Sequence, residues 1–491
     1  MHDPNDWMRL ARLAGELIAT GKRPLDALAV ARAAVECDPN QAAAWNTLGA
    51  AYHSIPDSAV EQTAAAREAV RLSPDDETAW HNLSLGLMKR FDFEAALDAA
   101  AKAVSFGTAN AFLPLQAALL AQLRGRYGVA LEYLKRAEHR LEAKHPRRRE
   151  LLFELWVTRA ALCAALDDWD GFHDALAHRH EFSDPDGLLH NLWKWERLWG
   201  EDQAPSSDRG QALVYLEWGI GDQIQFARLV PGILKKVFGF SRVTVACSAP
   251  LVRIMRSLSG ADEVIDHYGL GAEDIRSDVA VIPVIDLMRV ASKFGLFPLG
   301  AWEGPYLESR FFHYASDGSD WQPRREPSKR AIAFCWQGDP LQSTDFNRRI
   351  PFQAWCEFAR LNHDRYTFHS VQSKFSGHGE PWAGWPAGVP VEDCSPMIAD
   401  IADTAAIISK CDVFVGQCGS SLHLAGALGK PAVAMLGFAH DFRWDTSEAL
   451  YGNFVQVEQR TAGDWRSAFD QLPGAIDTVL DRQQAESSKE K

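Results

Sequence analysis

Three short stretches hold residues whose types and spacing could do chemistry. The first is "LEWGIGDQIQFARLVP", Leu216 to Pro231. A strand-like run ends at Leu216, Gly219 and Gly221 bracket a turn, and Asp222 opens a helical stretch. Glycines at such a turn let a phosphate or another backbone come close, and the aspartate could cap the helix or take a proton from a hydroxyl. The second is "WQGDPLQSTDFNRRIP", Trp336 to Pro351, which reads as a loop carrying Asp345, Asn347, Arg348 and Arg349. Guanidinium forks there suit diphosphate oxygens, or simply a solvated loop. The third is "VGQCGSSLHLAGALGKP", Val415 to Pro431, where Gly419, Ser420 and Ser421 begin a helix with His423 in its first turn. Free N–H groups and the positive dipole end at a helix start attract anions. The absence of a lysine before Lys430 argues against a triphosphate-hydrolysing loop.

Short apolar runs surround these stretches and alternate with helical ones. Strands are expected at 212–216, 242–246, 263–265, 279–282, 331–336, 366–371, 412–415 and 432–436. Strands alternating with helices imply parallel sheets, in which ligands bind at the carboxyl ends of the strands. "WQPRREPSKR" (321–330) is rich in proline and charge and splits the region in two. Two Rossmann-like lobes are therefore expected, at 211–320 and 325–480.

Residues 1–185 follow a different pattern. Trp45 and Trp80 lie 35 residues apart, as do Pro39 and Pro74, within "AWNTLGAAY" and "AWHNLSLGL". A period near 34 with Trp, Leu, Gly, Tyr, Ala and Pro resembles the tetratricopeptide repeat. The pattern is plain at 41–75 and 76–110, weaker at 7–40 where Leu10 takes the Trp position, and degenerate at 111–144 and 150–183. Stacked helical hairpins present a concave groove for a peptide or protein. Residues 186–210 read as a helical junction, with Trp193, Trp195 and Trp199 as packing residues, ending in the linker "APSSDRG" (204–210).

With 491 residues, about three domains are expected, since one spans roughly 150. The net charge of −14 excludes a general nucleic-acid binder, which carries a basic footprint. Eight cysteines without metal-site spacing read as reduced thiols. No signal peptide or apolar run of membrane-spanning length is seen, so a cytoplasmic location is expected.

Taken in order, "GIGDQIQFARLVP", "WQGDPLQSTDFNRRIPF", "FHSVQSKFSG" (368–377), "DTAAIISKCDVFVGQCGSSLHLAGALGKPAVAMLG" (403–437) and "AHDFRW" (439–444) resemble the ADP-heptose:lipopolysaccharide heptosyltransferases. More closely, they resemble bacterial proteins joining tetratricopeptide repeats to such a domain. The resemblance covers most of 211–450. It implies a GT-B fold: an acceptor lobe, then a lobe holding a nucleotide-diphosphate sugar, with neither metal nor cofactor required. It implies Asp222 as catalytic base, with Gly219 and Gly221 forming its loop. On the donor side it implies Arg348, Arg349, Gln372, Gly419, Ser420, Ser421 and His423. Where the family has Asp-Thr, this chain has Cys418-Gly419. The layout is also similar to that of protein O-linked N-acetylglucosamine transferases, whose repeats feed a peptide to a GT-B domain. The expectation is a metal-independent inverting glycosyltransferase whose repeats recruit the hydroxyl acceptor. Two rivals are a non-catalytic repeat scaffold, which Cys418 favours, and a GT-B nucleotide-sugar epimerase.

Overall fold

The computed structural model describes residues 6–178 except 22, 56 and 142–146, and residues 209–287 except 231–233, 236–237, 269 and 272–273. It further describes 304–309, 321–338 except 325 and 327, 345–372, 382, 384–440, 444 and 451–489. Trp193, Trp195 and Trp199, most of the junction and 373–377 lie outside these residues. The chain divides into two compact units, Met1–Phe182 and Ser183–Lys491.

The first unit is helical throughout its described residues. Ten helices form five hairpins: α1 (Asp6–Thr20) with α2 (Pro24–Cys37), α3 (Ala42–His53) with α4 (Ala59–Leu72), α5 (Glu77–Lys89) with α6 (Phe93–Ser105), α7 (Phe112–Leu123) with α8 (Tyr127–Arg140), and α9 (Arg148–Ala165) with α10 (Trp169–Ala177). The 35-residue spacing has a single physical origin. Trp45 Nε1 donates to Pro39 O and Trp80 Nε1 to Pro74 O, both at 2.8 Å, so each indole pins the turn before its helix. Asp76, Asp92 and Asp168 accept from first-turn N–H groups of α5, α6 and α10, as aspartate caps do. Alanines at 31, 34, 44, 51 and 65 are buried and let neighbouring helices approach closely. Degenerate as 111–144 and 150–183 are in sequence, both stretches fold as hairpins.

The second unit contains two all-parallel sheets. The first joins β1 (Arg209–Tyr215), β2 (Phe240–Cys247), β3 (Glu263–Asp266) and β4 (Val279–Pro283) in the order β3-β2-β1-β4. Helices α11 (Ile220–Ala227) and α12 (Val252–Met255) follow β1 and β2. The second has six strands: β5 (Arg330–Phe334), β6 (Tyr366–Ser370), β7 (Val391–Asp393), β8 (Val413–Gln417), β9 (Ala432–Leu436) and β10 (Phe454–Glu458), ordered β10-β9-β8-β5-β6-β7. Renumbered within the sheet this is 3-2-1-4-5-6, the doubly wound Rossmann order. Its helices are α13 (Asp345–Arg348), α14 (Phe352–Asn362), α15 (Ile401–Lys410), α16 (Ser420–Ala427) and α17 (Arg466–Lys489). Its core is aromatic, with Phe334 centred among Trp336, Trp355, Phe368 and Trp385.

Four expectations need correction. Strand β1 begins at Arg209, so the last two residues of the expected linker pair in the sheet, Arg209 opposite Phe240. The charged loop after Trp336 contains one helical turn, α13. Helix α17 runs to Lys489, past the expected end at 480. Strands β7 and β10 were absent from the sequence reading.

Candidate functional site

In a doubly wound sheet the crevice opens where the chain leaves adjacent strands in opposite directions, outside their carboxyl ends. In the first sheet that point lies between β1 and β4, and in the second between β5 and β8. The three stretches singled out by sequence leave the sheets there. The turn at 216–222 follows β1, the Gln337–Gly338 bend follows β5, and Cys418–Ser421 follows β8.

The two sheets meet at this edge. A Cβ on Gly221 would lie 3.2 Å from His423 Cδ2 and 3.5 Å from Ser420 Cα and N. Thus the first turn of α11 touches the first turn of α16, and a side chain at residue 221 would make His423 give by a few tenths of an ångström. Two helix starts, each with unsatisfied N–H groups and a partial positive charge, converge on one spot.

Asp222 is the third residue of α11 and not its cap; that position belongs to Gly219. Its Oδ2 accepts from Gly219 N at 3.2 Å, which folds the carboxylate back over the helix start. The preceding Trp218 has φ of +69°, a left-handed conformation that costs a bulky residue energy. Gln223 holds this turn. Its Nε2 donates to Trp218 O at 2.9 Å and to Ser248 Oγ at 2.7 Å, and its Oε1 accepts from Ser248 N at 3.0 Å. Ser248 Oγ lies 3.2 Å from His267 Nε2. Burial favours the neutral ring of His267 and lowers its pKa, against the pull of Asp266, which favours the charged form.

Arg348 reaches the opposite side of the crevice. Its Nε donates to Asp345 Oδ1 at 3.1 Å and its Nη1 to Cys418 O at 3.2 Å, two residues before the start of α16. Burial raises the Asp345 pKa, opposed by Arg348, Arg349 and the Gly338 N–H. Gln372 shapes this edge from beneath. Its Oε1 accepts from Trp336 N at 3.1 Å and Gln337 N at 3.0 Å, and its Nε2 donates to Gln337 O at 3.2 Å. The side chain expected to touch a ligand is thus bonded to the bend that follows β5.

His423 is buried in the first turn of α16. Its Nδ1 lies 3.2 Å from Tyr451 Oη, and its ring stacks on Trp444 at 5.7 Å between centroids. Trp444 Nε1 donates to Cys418 Sγ at 2.9 Å. Tyr451, Trp444, Gln223, Ser248 and His267 were all missed in sequence. They reach the site from 25 or more residues away or along a helix, and no local pattern marks them. Arg349 N bonds Asp345 O at 2.8 Å, closing the turn of α13. Ser421 lies one residue inside α16. Among the described residues no three His, Cys, Asp or Glu side chains are grouped to hold a metal ion, and no helix is long and apolar enough to cross a membrane.

No family model matches the chain, and no curated protein matches it. Solved structures similar to it include tetratricopeptide-repeat proteins. One titled "Crystal structure of MamA" is 17% identical over 34% of this chain and 95% of its own, with a TM-score of 0.28. YrrB, described as a tetratricopeptide-repeat protein with an unusual peptide-binding site, is 19% identical over 38% and 90%, with a TM-score of 0.28. PilW, a type IV pilus biogenesis factor, is 23% identical over 37% and 80%, with a TM-score of 0.30.

Proposed function

We propose that the second unit is a GT-B glycosyltransferase that moves a sugar from a nucleotide-diphosphate donor to a hydroxyl acceptor. The observation that carries this reading is the contact of Gly221 with Ser420 and His423, which brings the carboxyl edges of two parallel sheets together. A diphosphate suits the α16 helix start with Arg348 beside it, because backbone N–H groups and a guanidinium both favour its charge. Asp222, on the facing helix, takes the proton of the acceptor hydroxyl. That oxygen forms a bond to the anomeric carbon as the bond from that carbon to the diphosphate oxygen breaks. The leaving diphosphate takes the electron pair, and its charge is met by α16 and Arg348. The helical hairpins of the first unit recruit a peptide, protein or glycan acceptor. Asp222 and Arg348 supply the base and the charge in this scheme without a metal.

The second reading is a scaffold without turnover. It is favoured by Cys418, whose sulfur takes the Trp444 N–H where the heptosyltransferases have an acid. A thermal-shift and calorimetric screen of nucleoside diphosphates and nucleotide sugars, followed by hydrolysis and transfer assays, separates the two. Binding with sugar release or transfer supports the enzyme, and binding without either supports the scaffold. No binding to any nucleotide sinks the donor-site reading.

A further inference from the structure

Resting on that donor-site reading, we infer that Gln337 and Gln417 form the subsite for the donor's sugar, and that this sugar is uncharged. The two glutamines end adjacent strands. β5 and β8 pair with Phe334 opposite Val415, so Gln417 is two residues past that rung and Gln337 three. They stand nearly abreast on the carboxyl edge, one on either side of the crevice between β5 and β8.

Both are more than nine-tenths buried, at 5% and 2% exposure for Gln337 and Gln417. Each carries an amide atom without a hydrogen-bond partner: Nε2, a donor, on Gln337, and Oε1, an acceptor, on Gln417. Buried polar atoms are nearly always partnered, so an unpartnered amide atom at each of two neighbouring strand ends calls for an explanation. The surroundings of the two residues differ. The Gln337 backbone is clamped at N and O by the Gln372 amide. The Gln417 amide folds back over the start of α16, its Oε1 2.9 Å and its Nε2 3.2 Å from where a Cβ on Gly419 would stand. Gly419 has φ of −168°, extended backbone that any residue adopts. A side chain at residue 419 would press on this amide, which would have to turn aside.

The neighbouring groups locate the ligand. Gly338, beside Gln337, lies against the Arg348 guanidinium, and Arg348 bonds the carbonyl of Cys418, beside Gln417. A diphosphate on Arg348 and the α16 helix start would carry its sugar next to both amides. A hydroxyl both donates and accepts, so a pair of sugar hydroxyls satisfies one amide N–H and one amide oxygen together. A uronate would set a carboxylate near the Gln417 oxygen, and an amino sugar would set an ammonium near the Gln337 N–H. Both contacts are unfavourable in a buried site.

Titration calorimetry on the full chain tests this. The probes are UDP, ADP and GDP, then UDP-glucose, ADP-glucose and GDP-mannose, with UDP-glucuronate as the charged sugar. For a nucleotide that binds, the neutral-sugar form should bind about tenfold tighter than the bare diphosphate, as expected when hydrogen bonds to hydroxyls are gained. The glucuronate should show no such margin. Gln337→Leu and Gln417→Leu should each erase most of the margin while leaving the affinity for the bare diphosphate within about twofold. Gln417→Met, which keeps the side chain's length without its amide, should do the same, and melting by circular dichroism identifies any variant that has lost its fold. A margin that survives in all three variants overturns the inference, as does an equal loss of diphosphate and sugar-nucleotide affinity. A wild-type protein that binds diphosphates but gains nothing from a neutral sugar also overturns it, leaving the donor site standing. Failure to bind any nucleotide overturns the donor site and this inference with it.

Discussion

At the scale of single residues, the proposed chemistry rests on a few charged groups whose other bonds are already set. Arg348 bridges Asp345 and the carbonyl of Cys418. A charge-assisted bond is worth about 1.5–3 kcal/mol, so Arg348→Ala should weaken nucleoside-diphosphate binding roughly ten- to a hundredfold in calorimetry. Arg348→Lys should rescue little, because a single ammonium does not reproduce the planar fork. The same alanine variant leaves the Asp345 carboxylate buried without its partner. Burial already raises this pKa, so the folded protein favours the uncharged form more than the unfolded chain does. With a folded-state pKa above the unfolded one, the group's stabilising contribution is complete at low pH and lost as pH rises through the folded value. The melting deficit of Arg348→Ala should therefore shrink on acidification. Asp222 sits on the facing helix with one oxygen held by the Gly219 N–H. Asp222→Asn keeps that acceptor but removes the proposed base, so turnover should fall about a hundredfold or more with donor affinity unchanged. Unchanged turnover would leave Asp222 as a bracket for the helix start alone.

Elements show where small differences in side chains decide packing. Gly86 on α5 faces α4 so closely that a Cβ would lie 2.8 Å from Thr63 Oγ1 and 3.1 Å from its Cα. Gly86→Ala should cost about 1–3 kcal/mol in denaturant unfolding. Gly15 on α1 has nothing within 4 Å, so Gly15→Ala should instead gain about 0.5–1 kcal/mol through helix propensity. His81 packs edge-on against Phe112, joining α5 to α7, and burial lowers its pKa to about 4. A lowered pKa means its contribution is present above the ordinary value near 6.5 and is lost as pH falls through about 4. His81→Phe keeps an aromatic ring and removes the proton, so its melting temperature should fall less between pH 6.5 and pH 4. Elements of this kind were readable in sequence wherever the signal was local. The indole bonds of Trp45 and Trp80 appear as a 35-residue spacing, and eight strands appear as apolar runs. Strand β7 is three residues, Val-Glu-Asp, with no apolar run to announce it. Strand β10 is a sheet edge whose burial is only partial, so its pattern is weak. The site was legible on the same terms. Turns after strands could be found, but the Gln372 clamp reaches across 35 and 36 residues to its partners, and Tyr451 reaches across 28 to His423. Only folding reveals such pairs.

On the scale of the whole molecule, the two sheets of the second unit are tied at points beyond the helix starts. Arg253 on α12 forks onto Asp400 at 2.7 and 2.9 Å and also bonds Asp403, and these two carboxylates form the capping box of α15. Tyr306 N and Leu307 N both donate to Ala427 O at the end of α16, while Tyr306 Oη donates to Ile224 O on α11. The crevice therefore has its walls, its helix starts and its ties within residues 209–489. The helical hairpins form a compact unit of their own, ending at Phe182. If the hairpins recruit the acceptor and the sheets carry out transfer, the two tasks separate on truncation. A chain of residues 183–491 should bind nucleotide sugar as the full protein does and hydrolyse it at a similar rate. Its transfer to a macromolecular acceptor should fall about tenfold or more, while transfer to a small soluble acceptor is spared, because only the larger partner uses a repeat groove. Side-by-side initial rates on the two acceptors check this. Equal rates of macromolecular transfer with and without residues 1–182 would show that acceptor recognition resides in the sheets, and that the groove serves another partner.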